Sequence, residues 1–320
     1  MRRGEVAKGS AWALVTGAGS GIGRCFALRL ARLGYRLVLV GNDLRKLESV
    51  QAELRALDAA EVRVISCDLA RAEAARELYE RVRAAGIDVD VLINNAGIFS
   101  FRDILRTPAE RIERVIMLHC LTATQLCRLF ARDMAARNGF AANPEAEPGA
   151  VTDMATPATQ TGECSGTQSV PATPTGERPG TQPAPRHAKR RFHILNMASY
   201  SLWMPFPGLT LYSASKAYLK CFSVAFAKEV REAGIRVTAV CPAGVATNLY
   251  GLTPRWQRIG LRLGVLISAD HCARRGLWAL WHGRRCSVPD WWNRLWIPLC
   301  KLLPMCVIRP IRNFTMKFQK

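Results

Sequence analysis

The sequence predicts a doubly wound α/β fold, in which helices cover both faces of a parallel sheet. Short runs rich in β-branched residues alternate with longer segments of helical periodicity. The alternation resumes after a low-complexity stretch at residues 138–191. Repeated strand, helix, strand units need crossover connections and therefore a parallel sheet. We expect one domain, interrupted by a disordered insertion and followed by a basic aromatic tail.

The predicted elements follow this alternation in order. Strands are expected before the insertion at residues 11–15, 36–40, 62–66 and 89–93, with helices between them at about residues 21–33, 44–57 and 72–85. The next helix has Thr107 as its N-cap, Pro108 at the first helical position and Glu110 three residues after the cap. It is expected to extend to about residue 134. A strand at 192–196, a helix at 212–233 and a strand at 236–240 complete the pattern.

Changes of composition divide the chain into four segments. These are the N-terminal part of the domain (1–137), the low-complexity insertion (138–191), the C-terminal part with a substrate lid (192–288) and a basic amphipathic tail (289–320). Within the insertion, residues 159–172 are echoed by residues 173–186. Two copies of so polar a unit cannot build a core, which indicates a disordered surface loop. A partner-binding tether is the alternative.

Composition indicates a globular protein that keeps its thiols reduced. With 49% hydrophobic residues among 320, the chain can bury a sizeable core. It lacks a run of 18 or more apolar residues, and the first strand starts too close to Met1 for a signal peptide. Eleven cysteines without a CxxC pair suit a reducing compartment. We therefore expect a cytoplasmic protein.

One sequence cluster could suggest a metal. His271, Cys272, His282 and Cys286 are close in sequence, but their spacing matches no common zinc finger. Packing on a helix and the following turn is the expected explanation. We predict no metal.

The net charge of +20 suggests an anionic partner. The last quarter of the chain, from residue 250, holds thirteen Lys and Arg against two Asp. Nucleic acid is not expected, because the sequence lacks a zinc finger, an RNA-recognition signature and a heptad-bearing basic region. In the tail, tryptophans alternate with cations such as Arg294, Lys301 and Arg309, which suits an anionic membrane surface. Burial against the protein's own core or a second subunit is the alternative.

A glycine-rich turn follows the first strand and opens the first helix. Glycines let the backbone approach a pyrophosphate, and the helix N-terminus attracts its negative charge. The position of this turn between strand one and helix one predicts a dinucleotide site. Its predicted contacts are Thr16, Gly17, Gly19, Ser20, Gly21, Ile22 and Gly23.

Further polar signals follow later strands, at the carboxyl edge of the sheet where open α/β folds bind ligands. Asp68 and Leu69 come after strand three, where the carboxylate either accepts a hydrogen bond from adenine or is merely solvated. Asn94-Asn95-Ala96-Gly97 ends strand four, and Ser199 follows strand five. Tyr212 and Lys216 lie four residues apart and share one helix face.

Together these motifs resemble the short-chain dehydrogenase/reductase (SDR) family over about residues 11–250, without the insertion. The resemblance implies a Rossmann fold, an NAD(P) cofactor and a homo-oligomer. It gives Tyr212 the role of acid/base, Lys216 that of its electrostatic partner and ribose ligand, and Ser199 that of the hydroxyl that polarises the carbonyl. A nearby lysine ammonium is expected to lower the pKa of the tyrosine. Cofactor contacts are also implied at Asn94, Ala96, Gly97, Tyr212, Lys216, Pro242, Gly244, Val245 and Thr247.

The sequence departs from the family pattern at two positions. Cys120 aligns with the asparagine of the family's proton relay, and a thiol cannot supply the amide's donor and acceptor pair. The relay is then rebuilt by water or a neighbour, or catalysis is impaired. Ala243 replaces the usual glycine after strand six, where it could narrow the turn over the nicotinamide.

Cofactor preference depends on the end of strand two. An acid there would bind the ribose hydroxyls of NAD, whereas a cation would pair with the phosphate of NADP. Gly41 and Asn42 stand at these positions, and Arg24, Arg45 and Lys46 are nearby. We expect Asn42 to contact the cofactor and NADP to be preferred over NAD, although these cations could equally be solvated.

Two apolar segments, residues 202–208 and 249–267, are expected to border the substrate pocket. They favour an apolar carbonyl or alcohol substrate, such as a 3-oxoacyl or lipid-like ketone, and packing in a subunit interface is the alternative. The subgroup resembled is that of membrane-associated 3-oxoacyl reductases. The expected function is hydride transfer between nicotinamide and this substrate, by an enzyme that is cytoplasmic or peripheral at a membrane. The alternative is a catalytically impaired nucleotide-binding scaffold or sensor.

Overall fold

The computed structural model describes residues 7–140, 190–203, 206–247, 249, 253–290 and 310. The strands are β1 Trp12–Thr16, β2 Arg36–Gly41, β3 Val62–Ser66, β4 Val89–Asn94, β5 Phe192–Met197, β6 Ile235–Val240, β7 Gly244–Ala246, β8 Leu266–Ser268 and β9 Cys286–Ser287. The α-helices are α1 Gly21–Arg32, α2 Leu44–Ala56, α3 Ala74–Ala84, α4 Ala109–Ile116, α5 Ala123–Arg137, α6 Thr210–Glu229, α7 Pro254–Arg262 and α8 Ala269–Trp281. Three short helical turns lie at Ile104–Arg106, Met117–Thr122 and Tyr200–Trp203.

Seven strands form one parallel sheet in the order β3-β2-β1-β4-β5-β6-β9. The order reverses at β1, which pairs with β2 on one side and with β4 on the other. Loops leaving β1 and β4 therefore diverge over a crevice at the carboxyl edge of the sheet, where this class of fold binds ligands. The predicted doubly wound α/β fold is confirmed. β7 and β8 pair in a separate two-stranded sheet.

Apolar side chains from both faces of the sheet form two main cores. On one face, Phe26 of α1, Leu47 of α2 and Leu277 of α8 pack together. On the other, Leu78 of α3 and Phe130 of α5 join residues of α6. Helices on both faces bury the strands from each side, which explains why their sequences are continuously apolar.

The predicted helix from Pro108 to about residue 134 is interrupted. A π-helical turn, Met117–Thr122, separates α4 from α5. Such a turn adds one residue per hydrogen-bonded ring and redirects side chains, and it occurs frequently at functional sites. The predicted cap was also wrong, because the Thr107 hydroxyl donates to the Asp103 carbonyl and the helix begins at Ala109.

Most of two predicted segments lies outside the described residues, namely 141–189 of the insertion and 291–309 with 311–320 of the tail. The described ends of the insertion are close together, because Asn138 Nδ2 donates to the Arg190 carbonyl at 2.8 Å and to the Ala233 carbonyl at 2.7 Å. Among the described residues, no helix is long and apolar enough to cross a membrane. In the same part of the chain, no group of three or more His, Cys, Asp or Glu side chains is arranged to hold a metal ion.

Candidate active site

The turn between β1 and α1 has a shape that only glycine allows. Gly17 and Gly21 have φ values of +63° and +53°, in the left-handed region. A Cβ on Gly23 would lie 2.1 Å from the Gly17 carbonyl oxygen. The turn therefore leaves its backbone exposed to the crevice, and its open cradle fits the pyrophosphate of a dinucleotide.

Hydrogen bonds tie this turn to the loop after β4. The Thr16 hydroxyl donates to the Ile93 carbonyl at 3.3 Å and accepts from the amides of Asn95 and Ala96, both at 3.0 Å. Asn95 Nδ2 donates back to the carbonyl of Thr16 at 3.0 Å and to that of Gly17 at 3.3 Å. Asn95 was not among the predicted contacts, although it is the second residue of the Asn-Asn pair.

The side chain of Asn94 points away from the crevice. Its Nδ2 donates to Asn196 Oδ1 at 2.9 Å, and Asn196 donates in turn to the Ser223 hydroxyl at 2.8 Å. This buried amide chain joins β4 and β5 to α6. Asn94 therefore supports the strands beneath the site, and it is not among the residues that line the cavity.

A cavity of ≈ 600 Å³ runs along the carboxyl edge of the sheet. It brings together most of the predicted site residues, from the glycine-rich turn to the residues after β6. Those that line it are Gly17, Ser20, Gly21, Ile22, Asn42, Asp68, Leu69, Ala96, Gly97, Ser199, Tyr212, Lys216, Pro242, Val245 and Thr247. Thr16, Gly19, Gly23, Asn94 and Gly244 are not among its lining residues. Asn95, Lys46, Arg111 and Arg114 also line the cavity but were not predicted as contacts.

Ser199, Tyr212 and Lys216 meet at one end of this cavity, as the family resemblance implies. Tyr212 and Lys216 lie one turn apart on α6 and are 5% and 4% exposed. The Lys216 ammonium donates to the Met197 carbonyl at 2.8 Å and lies 5.8 Å from the centre of the Tyr212 ring. Ser199 hydrogen-bonds to the Tyr212 hydroxyl. The three groups are thus positioned around one point of the cavity wall.

The expected pKa shift of Tyr212 is wrong in direction. Burial raises the pKa of Tyr212 to about 12, and its hydrogen bond with Ser199 only partly opposes this. Burial also lowers the pKa of Lys216 to about 8. Because desolvation outweighs the hydrogen bond with Ser199, Tyr212 is a protonated phenol at neutral pH and can donate a proton.

The π-helical turn brings His119, not only Cys120, against the site. His119 Nε2 accepts a hydrogen bond from the Ile98 amide at 2.9 Å, and Nδ1 lies 2.9 Å from the Ser215 hydroxyl. Cys120 is half-buried, and burial raises the pKa of its thiol while Lys216 opposes that rise. The comparison with the family pattern pointed to Cys120 and missed the adjacent His119, which hydrogen-bonds to the loop after β4.

Of the three nearby cations, Lys46 lines the cavity. Its ammonium forms an ion pair with Asp43 at 2.9 Å, and Asp43 also caps α2 by accepting from the Lys46 amide. Arg24 is instead bound by Glu53, with a bond of 2.7 Å from its Nε. Of these two, Lys46 is therefore the cation placed to meet a phosphate near Asn42.

Asp68 lies at the cavity but is not simply solvated. One carboxylate oxygen accepts from the Ala70 amide at 3.0 Å, and the other pairs with Arg114 at 3.1 Å. The Asp68–Arg114 pair joins the loop after β3 to α4 beside the cavity.

Aromatic rings form a wall beside the tyrosine. The Phe99 ring meets the Tyr212 ring edge-on, with centres 5.0 Å apart, and stacks on Phe101 at 6.5 Å. Phe101 in turn packs against Gly208, where an added Cβ would lie 3.5 Å from the ring. These rings pack beside Tyr212, and neither Phe99 nor Phe101 is among the residues that line the cavity.

Comparisons with known proteins agree with this geometry. A family model described as short chain dehydrogenase matches residues 11–143 and 182–258. Over 245 residues the chain is 28% identical to a very-long-chain 3-oxoacyl-CoA reductase of Anas platyrhynchos, covering 75% of this chain and 61% of that protein. It is 25% identical over 243 residues to a 17-beta-hydroxysteroid dehydrogenase type 3 of Mus musculus, covering 74% and 61%.

The chain therefore spans about three fifths of the length of these curated relatives. Among solved structures, a short-chain dehydrogenase from Sphingobium yanoikuyae in complex with NADPH has the same fold. It superposes with a TM-score of 0.65 at 24% identity, over 89% of this chain and 92% of that one.

Proposed function

The chain belongs to the short-chain dehydrogenase family of NAD(P)-dependent oxidoreductases, and from this premise we propose that it reduces the carbonyl group of a large apolar substrate with NADPH. The observation that carries the proposal is the meeting of Ser199, Tyr212 and Lys216 at one end of the dinucleotide crevice. The alternative of an impaired scaffold or sensor gains no support, because these three groups are intact and share one cavity.

The chain's own residues divide the chemistry between them. A nicotinamide held along the carboxyl edge of the sheet would supply the hydride for this reduction. The Ser199 hydroxyl donates a hydrogen bond to the carbonyl oxygen and stabilises the charge that develops there. Tyr212 then donates its proton to that oxygen, since its raised pKa keeps the phenol protonated at neutral pH. Lys216, held by the Met197 carbonyl, supplies positive charge beneath the tyrosine.

The residues around strand two support NADP over NAD. Asn42 offers no carboxylate to bind ribose hydroxyls, and Lys46 lines the same end of the cavity. A 2′-phosphate would compete with Asp43 for the Lys46 ammonium, since both are anions within reach of it. Ser20 adds a hydroxyl to the same wall.

The substrate class is supported by apolar residues that line the cavity and by the curated relatives of the chain. Leu118 and Leu249 line the cavity, and the rings of Phe99 and Phe101 pack beside Tyr212 without lining it. The relatives named above are a very-long-chain 3-oxoacyl-CoA reductase and a hydroxysteroid dehydrogenase. A 3-oxoacyl or lipid-like ketone is the substrate class proposed here.

A peripheral contact with an anionic membrane belongs to the same proposal. Helix α7 and the turn after it expose Trp256, Leu261 and Leu263, the last to 72%. Arg255, Arg258 and Arg262 accompany them. Apolar side chains among arginines suit a headgroup layer, where each cation contributes roughly 1 kcal/mol.

The test is oxidation of NADPH and NADH by the purified protein with panels of ketones and 3-oxoacyl thioesters. Replacing Tyr212 by Phe removes the proton donor and should lower kcat by about 10²-fold or more while leaving NADPH binding intact. Tyr218→Phe is the matched control, since Tyr218 lies on the same helix and bonds to the Thr124 hydroxyl outside the cavity. A Tyr212→Phe variant with kcat within about threefold of the parent contradicts the mechanism.

A further inference from the structure

The hydrogen bonds of His119 fix where its protons are. The Ile98 amide can only donate, so Nε2 of the ring must accept, at 2.9 Å. A ring with an accepting nitrogen is neutral and carries its proton on Nδ1. Nδ1 therefore donates to the Ser215 hydroxyl at 2.9 Å, and that hydroxyl donates to the Tyr212 carbonyl at 2.8 Å.

The surroundings of the ring keep it neutral. His119 is 1% exposed, and burial lowers its pKa well below the ordinary value, with the charges of Lys216 and Arg111 acting in the same direction. The ring also meets the Tyr212 ring edge-on, with centres 5.8 Å apart. Packing and charge thus hold one tautomer in one orientation.

This chain of bonds joins two parts of the site. Ile98 continues the loop that lines the cofactor crevice, and a Cβ on the preceding Gly97 would lie 3.2 Å from His119 Nε2 and 3.5 Å from Lys216 Nζ. At its other end the chain reaches α6 at Ser215 and Tyr212. The first distance is a tight contact and the second an ordinary van der Waals contact, so the loop packs closely on both side chains.

We propose that His119 is a positioning residue that sets the distance between the cofactor loop and the helix carrying Tyr212 and Lys216. This inference rests on the proposed function, because it assigns His119 a role in the same reaction. The two ring nitrogens of His119 are hydrogen-bonded to Ile98 and Ser215. His119 therefore acts through these two residues and not directly on the reacting atoms. A displacement of about 1 Å between such groups can cost about 10²-fold in rate.

Side-chain length allows the two bonds to be removed separately. In His119→Gln the amide reaches the place of Nε2 and can accept from Ile98, whereas in His119→Asn it reaches only the place of Nδ1 and can donate to Ser215. His119→Phe keeps the ring volume and loses both bonds. Ser215→Ala breaks the link to α6. Ser213→Ala is the matched control, because the buried Ser213 hydroxyl on the same helix has no hydrogen-bond partner among the residues that the structure describes.

The measurements are kcat, the KM of NADPH, and the Kd of NADPH by direct titration. We expect at least a tenfold loss of kcat in His119→Phe, with a weaker Kd. His119→Gln and Ser215→Ala should lower kcat and leave the Kd of NADPH within twofold, whereas His119→Asn should weaken the Kd more than it lowers kcat. Ser213→Ala should change neither by more than twofold.

Equal losses in His119→Gln and His119→Asn that follow their melting temperatures would overturn the proposal, since they would show a purely structural role. A folded His119→Phe variant with parental kcat and Kd would also overturn it. If the parent reduces no carbonyl compound, the proposed function fails. In that case the Kd of NADPH can still be compared between His119→Asn and His119→Gln. Equal Kd values would contradict the positioning role of His119, whether or not the protein reduces a carbonyl compound.

Discussion

Lys216 is a buried ammonium, and its removal should stabilise the protein while it removes activity. Burial lowers the pKa of Lys216 from 10.5 to about 8. Such a fall corresponds to ~3 kcal/mol of folding free energy lost wherever the group is charged in both states. In Lys216→Met this cost disappears, but the Met197 carbonyl loses its donor, which costs ~1–3 kcal/mol at every pH.

The pH dependence isolates the charge from the lost hydrogen bond. Between about pH 8 and 10.5 the unfolded chain holds a proton on Lys216 that the folded chain has released. The parent's free energy of unfolding therefore gains ~3 kcal/mol from this group as pH rises through that range. Lys216→Met lacks this gain, so its advantage over the parent should shrink by the same amount.

The assay is reversible urea or thermal unfolding of cofactor-free parent and variant across this pH range. Lys228→Met is the matched control, since it removes an exposed ammonium from the same helix. A difference between Lys216→Met and the parent that stays constant with pH would refute the desolvation argument.

Three further predictions concern the crevice and the insertion. Gly23→Ala should abolish NADPH binding, because its Cβ would lie 2.1 Å from a backbone oxygen of the turn, whereas in Gly41→Ala the nearest contact is a leucine methyl at 3.4 Å and binding should persist. Lys46→Met should raise the KM of NADPH about tenfold and leave that of NADH unchanged, as expected for the loss of one charge-assisted hydrogen bond, with Arg45→Met as control. Replacing residues 142–186 by a short Gly/Ser link should leave kcat and the melting temperature nearly unchanged, and loss of folded protein would show that the segment packs on the domain.

The parts of the fold that follow from local pattern were predictable. Residues 62–66 form a strand with the predicted bounds, and the glycine-rich turn lies where strand one meets helix one. Parallel pairing follows from the alternation of elements. The meeting of Ser199 with Tyr212 was expected from the family resemblance. The short strands β7, β8 and β9 were not predicted, because two or three residues carry no periodicity.

The features of the site that the sequence did not predict depend on how side chains are buried in the folded structure. The π-helical turn that brings His119 to the site comes from one extra residue per turn, which apolar periodicity does not reveal. The pKa of Tyr212 depends on how far the phenol is removed from water, and proximity to Lys216 in sequence carries no such information. Thr107 and Pro108 match a capping pattern, but the Thr107 hydroxyl donates instead to the carbonyl of Asp103, four residues earlier in the chain.

The place where the insertion joins the domain has a practical consequence. Arg190 lies two residues before β5, whereas the groups of the crevice follow the other end of that strand. The junction and Tyr212 therefore lie on opposite edges of the sheet, separated by about 20 Å of strand. The hydrogen bonds of the Asn138 side chain hold the two ends of the junction close together, so their proximity does not depend on the residues between them. The junction is therefore a suitable site for inserting a fluorescent or affinity module, because a module placed there would not obstruct the crevice.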